Sequence, residues 1–459
     1  MSMTTIESAL TRPKRLAPGP RSWPWIGNLG VLRGLLPFME QQWARHGDVF
    51  RLCMGGRSTL VVVHPDLMQD VLLTRRENFI KGSILDSVRS ILGDGLVTLE
   101  GNAWKQRRTL AQPAFHRHSL ERLTAIMTAS GARFFERLAA QVGPEGRVLD
   151  MHPELVRLTL DVVISALFGE GTIEADEISY EALGNALQLV SARTNGVRLP
   201  DFIPSPGNLK FKRTLAELDR NVYTIIDRAR KLENGNGSLL SMLLDARDEG
   251  GSPLSSRALR DEVITLFIAG HETTALTLTW LFALLDGRPD VLARMRDEVA
   301  RVLGGRDPNL DDISKLVYVR QVVDETLRVR PPAPMIARNA VNDDILGGYH
   351  VASGEVVLPF IWGVHRHRDF WREPDRFDPE RFAGGTGKLR HKWSYLPFSG
   401  GPRVCIGNAF SLTETVVLLA QMLGRFDIQV QSCADVKPVA VATVRPDRPV
   451  RVKFTPRRG

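Results

Sequence analysis

The sequence predicts a mainly α-helical α+β fold, with one long buried helix and small β-sheets drawn from both ends of the chain. Three observations carry this. Between about residues 101 and 303, apolar residues recur at helical spacing in segment after segment. β-rich runs stand before that region, at 49–53 and 59–63, and after it, at 356–360 and 450–454. The run 263–285 is apolar on nearly every face, which marks a helix without a solvent side. Strands at both ends with helices between them imply one interwoven domain, 18–459, behind a flexible leader, 1–17.

Taken in order, 15–25 holds Pro18, Pro20 and Pro24 with Gly19, and reads as a stiffened irregular lead-in. The strands 49–53 and 59–63 are joined by a Gly55-Gly56 turn, and a short helix follows at 65–73. Helices are expected at 121–138, 154–167, 180–192, 210–231 and 257–285. Between them, 196–207 contains Pro200, Pro204 and Pro206 and reads as a loop able to form a lid, while 234–237 is a linker. A helix at 314–329 is ended by Pro331-Pro332. The stretch 366–392 is charged, proline-rich and irregular, and 408–423 is again an apolar helix.

Composition excludes several function classes. At 459 residues and 43% hydrophobic content the chain buries a large core. Sixty Lys and Arg against 52 Asp and Glu leave a net charge of +8. Aromatic content of 7%, with no basic run interleaved with aromatics, argues against nucleic acid. A basic face that docks an acidic protein is the better use of the charge. Residues 1–10 lack an apolar stretch, so neither signal peptide nor membrane anchor is expected. The run 263–285 approaches membrane-span length, but His271 and Glu272 lie at its centre. Three cysteines, at 53, 405 and 433, form no CxxC pair. That suits a reducing, cytoplasmic setting, leaves Cys405 free for chemistry and excludes a structural zinc site.

Four constellations carry chemistry. The loop Phe398-Ser-Gly-Gly-Pro-Arg-Val-Cys405-Ile-Gly407 delivers a cysteine to the start of an apolar helix. A thiolate there gains from the positive helix N-terminus, and Gly400, Gly401 and Gly407 would admit a flat cofactor; a buried cysteine in a turn is the alternative. Ala269-Gly270-His271-Glu272-Thr273 places polar groups in the middle of the buried helix, where glycine alone costs roughly 1 kcal/mol relative to alanine. Distortion at Gly270 would open a groove there, served by the acid Glu272 and the alcohol Thr273. Glu325 and Arg328 share a helix face, which by default reads as a surface pair of little worth; contact with Arg381 in Pro379-Glu-Arg-Phe382 would make it a triad. Finally, Trp104 and Arg108 stand four apart, with Arg338 and Arg403 elsewhere; singly each reads as a surface arginine, while together their guanidinium forks would match the two carboxylates of a haem. A zinc hydrolase built on His271-Glu272 fails because Ala275 stands where a second histidine is needed. His365-x-His367 and His116-x-His118 read as exposed histidines.

In this order and spacing, from about Pro18 to Phe454, the motifs resemble those of cytochromes P450, in particular soluble bacterial ones. The resemblance implies a P450-like fold with the long helix over haem b. Cys405 would be the proximal thiolate on iron, favouring O–O cleavage. Arg403, Arg338, Arg108 and Trp104 would hold the propionates, with Lys81 a weaker candidate, and Phe398, Gly407, Ala269 and Gly270 would line the haem. Thr273 would steady bound oxygen while Glu272 relays protons, and Glu325, Arg328 and Arg381 would be structural. Substrate would meet 83–97, 195–208, 334–336 and the turn 441–444, through Ile84, Leu85, Val88, Leu96, Phe202, Ile203, Ala269, Met335 and Ile336. These positions are apolar and suit a lipophilic substrate such as a terpenoid, fatty acid, steroid or polyketide. With no room for a flavin domain before Gly459, a separate ferredoxin and its reductase would supply electrons to a monomeric monooxygenase. The rivals are a peroxygenase or rearranging enzyme of the same fold, which often lacks the acid–alcohol pair, and a haem-containing binding protein without turnover.

Overall fold

A computed structural model describes residues 15–23, 27–54, 56–169, 205–231, 238–247, 251–384, 390–440 and 442–457, apart from the side chains at 83, 84, 86 and 87. The expected helix at 180–192 and residues 195–204 of the expected lid lie outside the described residues, and the lid's last residues, from Pro206, belong instead to the helix Pro206–Lys231. Contacts divide the chain into two compact units. One comprises Met1–Ile84, Pro334–Pro374 and Arg390–Arg403; the other comprises Leu85–Ala333, Asp375–Leu389 and Val404–Gly459.

The first unit is built on a five-stranded sheet in the order Val49–Met54, Arg57–Val62, Val356–Pro359, Arg338–Ala340, Phe79–Ile80. Val49 pairs with Val62 across the antiparallel pair, whereas Thr59 pairs with Val356 in the parallel one. The second strand is therefore interior, and Leu60, Val61 and Val62 are all fully buried. This is why its sequence is a continuous apolar run rather than an alternating one. Two histidines correct the expectation of exposure. His365 is fully buried and its Nε2 accepts the Leu396 backbone N–H at 2.7 Å. His367 is buried too, its Nε2 3.2 Å from Asp48 Oδ1, and this contact lowers the Asp48 carboxyl below the usual range. Both rings serve the core as hydrogen-bonding groups, which a sequence pattern does not distinguish from solvent contact. His116 and His118, in the second unit, are exposed.

The second unit holds the helical mass. Its central helix, Ser256–Leu284, starts at Ser255, whose side chain accepts the Ala258 N–H at 3.2 Å. At 29 residues it spans on the order of 43 Å. It packs on Met151–Phe168, while Arg117–Val142 packs on Asn408–Arg425. A three-stranded sheet, Arg147–Asp150, Arg451–Pro456 and Phe426–Val430, closes one side of this unit.

The first turns of the central helix, just ahead of the apolar run 263–285, bury charge. Arg260 donates to Asp219 Oδ1 at 2.7 Å, to Ile91 O at 2.8 Å and to Asp261 Oδ1 at 2.9 Å. Glu262, 1% exposed, accepts from Arg107 at 2.9 Å. Burial outweighs that partner and pushes the Glu262 carboxyl up to about 7. Its folded value thus lies above its unfolded one, so its contribution is complete below the unfolded value and is lost as pH rises through 7. Glu262→Gln is expected to flatten the stability profile between about pH 4.5 and 7, removing a change on the order of 3 kcal/mol. Urea midpoints at several pH values check this, and an unchanged slope would contradict it.

Candidate active site

The cysteine loop precedes the helix Asn408–Arg425, with Gly407 at the N-cap position. Cys405 is solvent-accessible as a residue, yet enough protein crowds it for desolvation to push its thiol up. The Gly407 N–H and the Arg108 guanidinium oppose that rise. Arg108 lies on Gly101–Ala111 with buried Trp104, and its Nη1 donates to Val404 O at 2.7 Å. A cation from Gly101–Ala111, a helix N-terminus and the Cys405 sulfur therefore meet at one loop. That donor set fits a thiolate-ligated haem.

The loop's glycines have a different use from the one expected. A Cβ on Gly401, at φ +69°, would lie 2.1 Å from Leu72 O, and one on Gly400 would lie 2.4 Å from the Trp393 ring. These two glycines are needed for protein packing. Gly407 is the open one, with the Phe115 ring 3.9 Å from its would-be Cβ.

The central helix runs unbroken through Gly270, which corrects the expected distortion. Glycine is placed there by helix packing, since its Cβ would meet Val163 Cγ2 at 3.1 Å. The threonine hydroxyls are absorbed by carbonyls one turn back: Thr273 Oγ1 donates to Ala269 O at 2.9 Å and Thr277 Oγ1 to Thr273 O at 2.9 Å. Ala269 is exposed, between half-buried Ile268 and Gly270, in the middle of a helix whose neighbouring turns are largely buried. His271 is buried with Nδ1 2.9 Å from Phe267 O, and burial lowers its pKa.

Thr274 Oγ1 lies 3.1 Å from Ser411 Oγ, which joins this part of the central helix to the first turns of the cysteine helix. Glu414, one turn further, is wholly buried, and burial holds its carboxyl well above the usual range. Glu272 is engaged by groups that sequence reasoning missed. Thr443 Oγ1 donates to its Oε1 at 3.1 Å, and Arg445 donates to the same oxygen through Nε at 2.7 Å and through Nη2. Nothing local in Thr443-Val444-Arg445 announces this, because the contact bridges 173 positions of sequence.

Glu325 and Arg328 form a fully buried fork, with Nε to Oε2 at 2.7 Å and Nη2 to Oε1 at 2.8 Å. Arg381 Nε lies 3.3 Å from Glu325 Oε1, and the Asp378 N–H donates to the same oxygen at 2.8 Å. Among the expected substrate positions, Leu96 is buried, with its backbone bonded to Glu262, while Leu85 and Val88 are half-buried. Phe202 and Ile203 lie outside the described residues, as does the Ile84 side chain. In the first unit, Arg338 is buried and donates to Ala337 O at 2.8 Å. There too, Lys81, Phe398, Arg403, Met335 and Ile336 are half-buried, and Ile336 packs on that unit's core. No helix among the described residues is long and apolar enough to cross a membrane.

Comparison with known proteins adds an independent line. The family model described as Cytochrome P450 matches residues 17–454. Pentalenene oxygenase of Streptomyces avermitilis is 34% identical, over 95% of this chain and 97% of that protein. Cyclooctat-9-en-7-ol 5-monooxygenase of Streptomyces melanosporofaciens is 33% identical, over 91% and 90%. The crystal structure of the cytochrome P450DA heme domain superposes with a TM-score of 0.87 at 27% identity, covering 97% of this chain and 99% of that one.

Proposed function

The chain belongs to the cytochrome P450 family, and from that premise we propose that it inserts one oxygen atom into a terpenoid, using haem b held by Cys405. The family is one of oxidoreductases that incorporate molecular oxygen, and haem is its cofactor. The observation that carries the reading is Cys405, an exposed residue in a crowded setting beside Arg108 and the N-terminus of its helix. When bound, the thiolate-ligated haem supplies oxygen activation. The protein's own part is to hold the sulfur with the Gly407 N–H and Arg108, to present small, exposed Ala269 where a substrate needs room, and to keep a proton at Thr273 Oγ1 that Glu272 replenishes. Terpenoid is favoured over the other lipophilic classes by the two relatives, whose names specify pentalenene and a cyclooctatenol as their targets.

Spectral titration of the haem-loaded protein tests the class: cyclic sesquiterpenes and diterpenes should displace water from iron at concentrations at least about tenfold lower than fatty acids of equal size. Mass spectrometry should then find a product heavier by one oxygen. Equal response to all lipids would remove the terpenoid assignment. Thr273→Ala should leave the substrate titration within about twofold while product per reductant consumed falls about tenfold and peroxide replaces it. Unchanged coupling would take Thr273 out of the proton path. Electrons come from a separate acidic ferredoxin and its reductase on this reading, in keeping with the net charge of +8, so turnover should slow as salt rises.

A further inference from the structure

Strands Pro438–Ala440 and Val444–Pro446 form a hairpin of three residue pairs, from Pro438 opposite Pro446 to Ala440 opposite Val444. So short a ribbon is marginal without outside support. Its described contacts with the central helix and Pro332 come from 443–445. Val444 is fully buried; its N–H donates to Pro332 O at 3.0 Å and its C=O accepts Trp280 Nε1 at 2.8 Å. In extended backbone the neighbours of Val444 point the opposite way. Both of them, Thr443 and Arg445, reach Glu272 Oε1. Side-chain exposure is 15% for Glu272 and 42% for Arg445, so the pair bridges core and surface. His152 also lies near this pair; burial first, and then Arg445, depress its pKa, so at neutral pH it offers Glu272 no rival charge.

We propose that Arg445 is a positioning residue for Glu272, holding its carboxylate toward the hairpin and so setting how readily it delivers protons. The proposal rests on Glu272 as the proton carrier, as read above. Coupling through one contact is reciprocal. If Arg445 restrains Glu272, then Glu272 restrains the hairpin, and each half is measured separately.

The first half needs no turnover. Hydrogen exchange at 439–446 in the full-length haem protein should quicken by about tenfold in Arg445→Leu and by a similar factor in Glu272→Gln, with the double variant no faster than either. The second half uses coupling. Arg445→Leu should lower product per reductant by about fivefold, and Arg445→Lys should restore part of it, since lysine keeps the charge without the two-nitrogen fork. The balance appears as peroxide: oxygen takes two electrons from the external reductant and two protons from solvent. Unchanged exchange in Glu272→Gln, or effects that multiply in the double variant, overturn the positioning role. If instead Glu272→Gln loosens the hairpin but leaves coupling intact, Glu272 is not the proton carrier, and the catalytic half of the proposal falls with that reading.

Discussion

Cys405→Ser should abolish the thiolate-specific absorption band of the reduced carbonyl complex and bring product formation below about 1% of the parent rate. The serine oxygen is a harder, more basic donor, and the crowding that already pushes the thiol up would resist an alkoxide more strongly. The substitution is nearly isosteric, so the loop should keep its shape. The other two cysteines supply the controls. Cys433 is 7% exposed and its Sγ donates to Gln431 O at 3.2 Å; Cys53 lies in a strand of the first unit. Serine at either should leave the band in place. A band that survives in Cys405→Ser and disappears in Cys433→Ser would move the ligand elsewhere.

The second large effect concerns stability. Arg328→Met leaves the Glu325 carboxylate inside the protein with its fork partner gone, at full burial. Removing one member of a buried pair typically costs about 3–5 kcal/mol, because the remaining charge keeps its desolvation penalty without its attraction. The urea midpoint should fall accordingly, and haem retention on gel filtration should fall with it. Glu325→Met combined with Arg328→Met should recover much of the loss, since neither charge is then stranded. Arg381→Leu should cost less, because its Nε is 3.3 Å from Glu325 and its side chain keeps 10% exposure. A loss under about 1 kcal/mol in Arg328→Met would place the pair's weight elsewhere.

The fold class was legible because its signals are local. Helical periodicity located 121–138, 154–167, 210–231 and 257–285 inside the observed Arg117–Val142, Met151–Phe168, Pro206–Lys231 and, to within a residue, Ser256–Leu284. Arg338–Ala340 and Phe79–Ile80, at three and two residues, are too short to carry a pattern, and they are strands only because neighbours in the sheet pair with them. The same division runs through the site. Cys405 announces itself by its loop and Glu272 by its position in an apolar helix. The partners that decide how Glu272 is held, Thr443 and Arg445, come from a distant hairpin; the resemblance points to the turn 441–444 for substrate, but nothing there marks a partner for the acid.

By itself, then, the sequence determined the kind of chemistry: a lone cysteine before a helix, an acid–alcohol pair in a buried helix and a charged pair on one helical face. Each depends on residue type and on spacings of a few positions, which helix and loop geometry translate directly into space. Tertiary structure alone decided the surroundings of those groups. It showed that Gly400 and Gly401 make room for Trp393 and Leu72. It also replaced the expected distortion at Gly270 with close packing on Val163, and buried His365 and His367. The loop at 398–407 thus marks Cys405 by residue type and spacing, while desolvation and hydrogen-bond partners, set by contacts between segments far apart in the chain, decide the surroundings of Cys405 and Glu272.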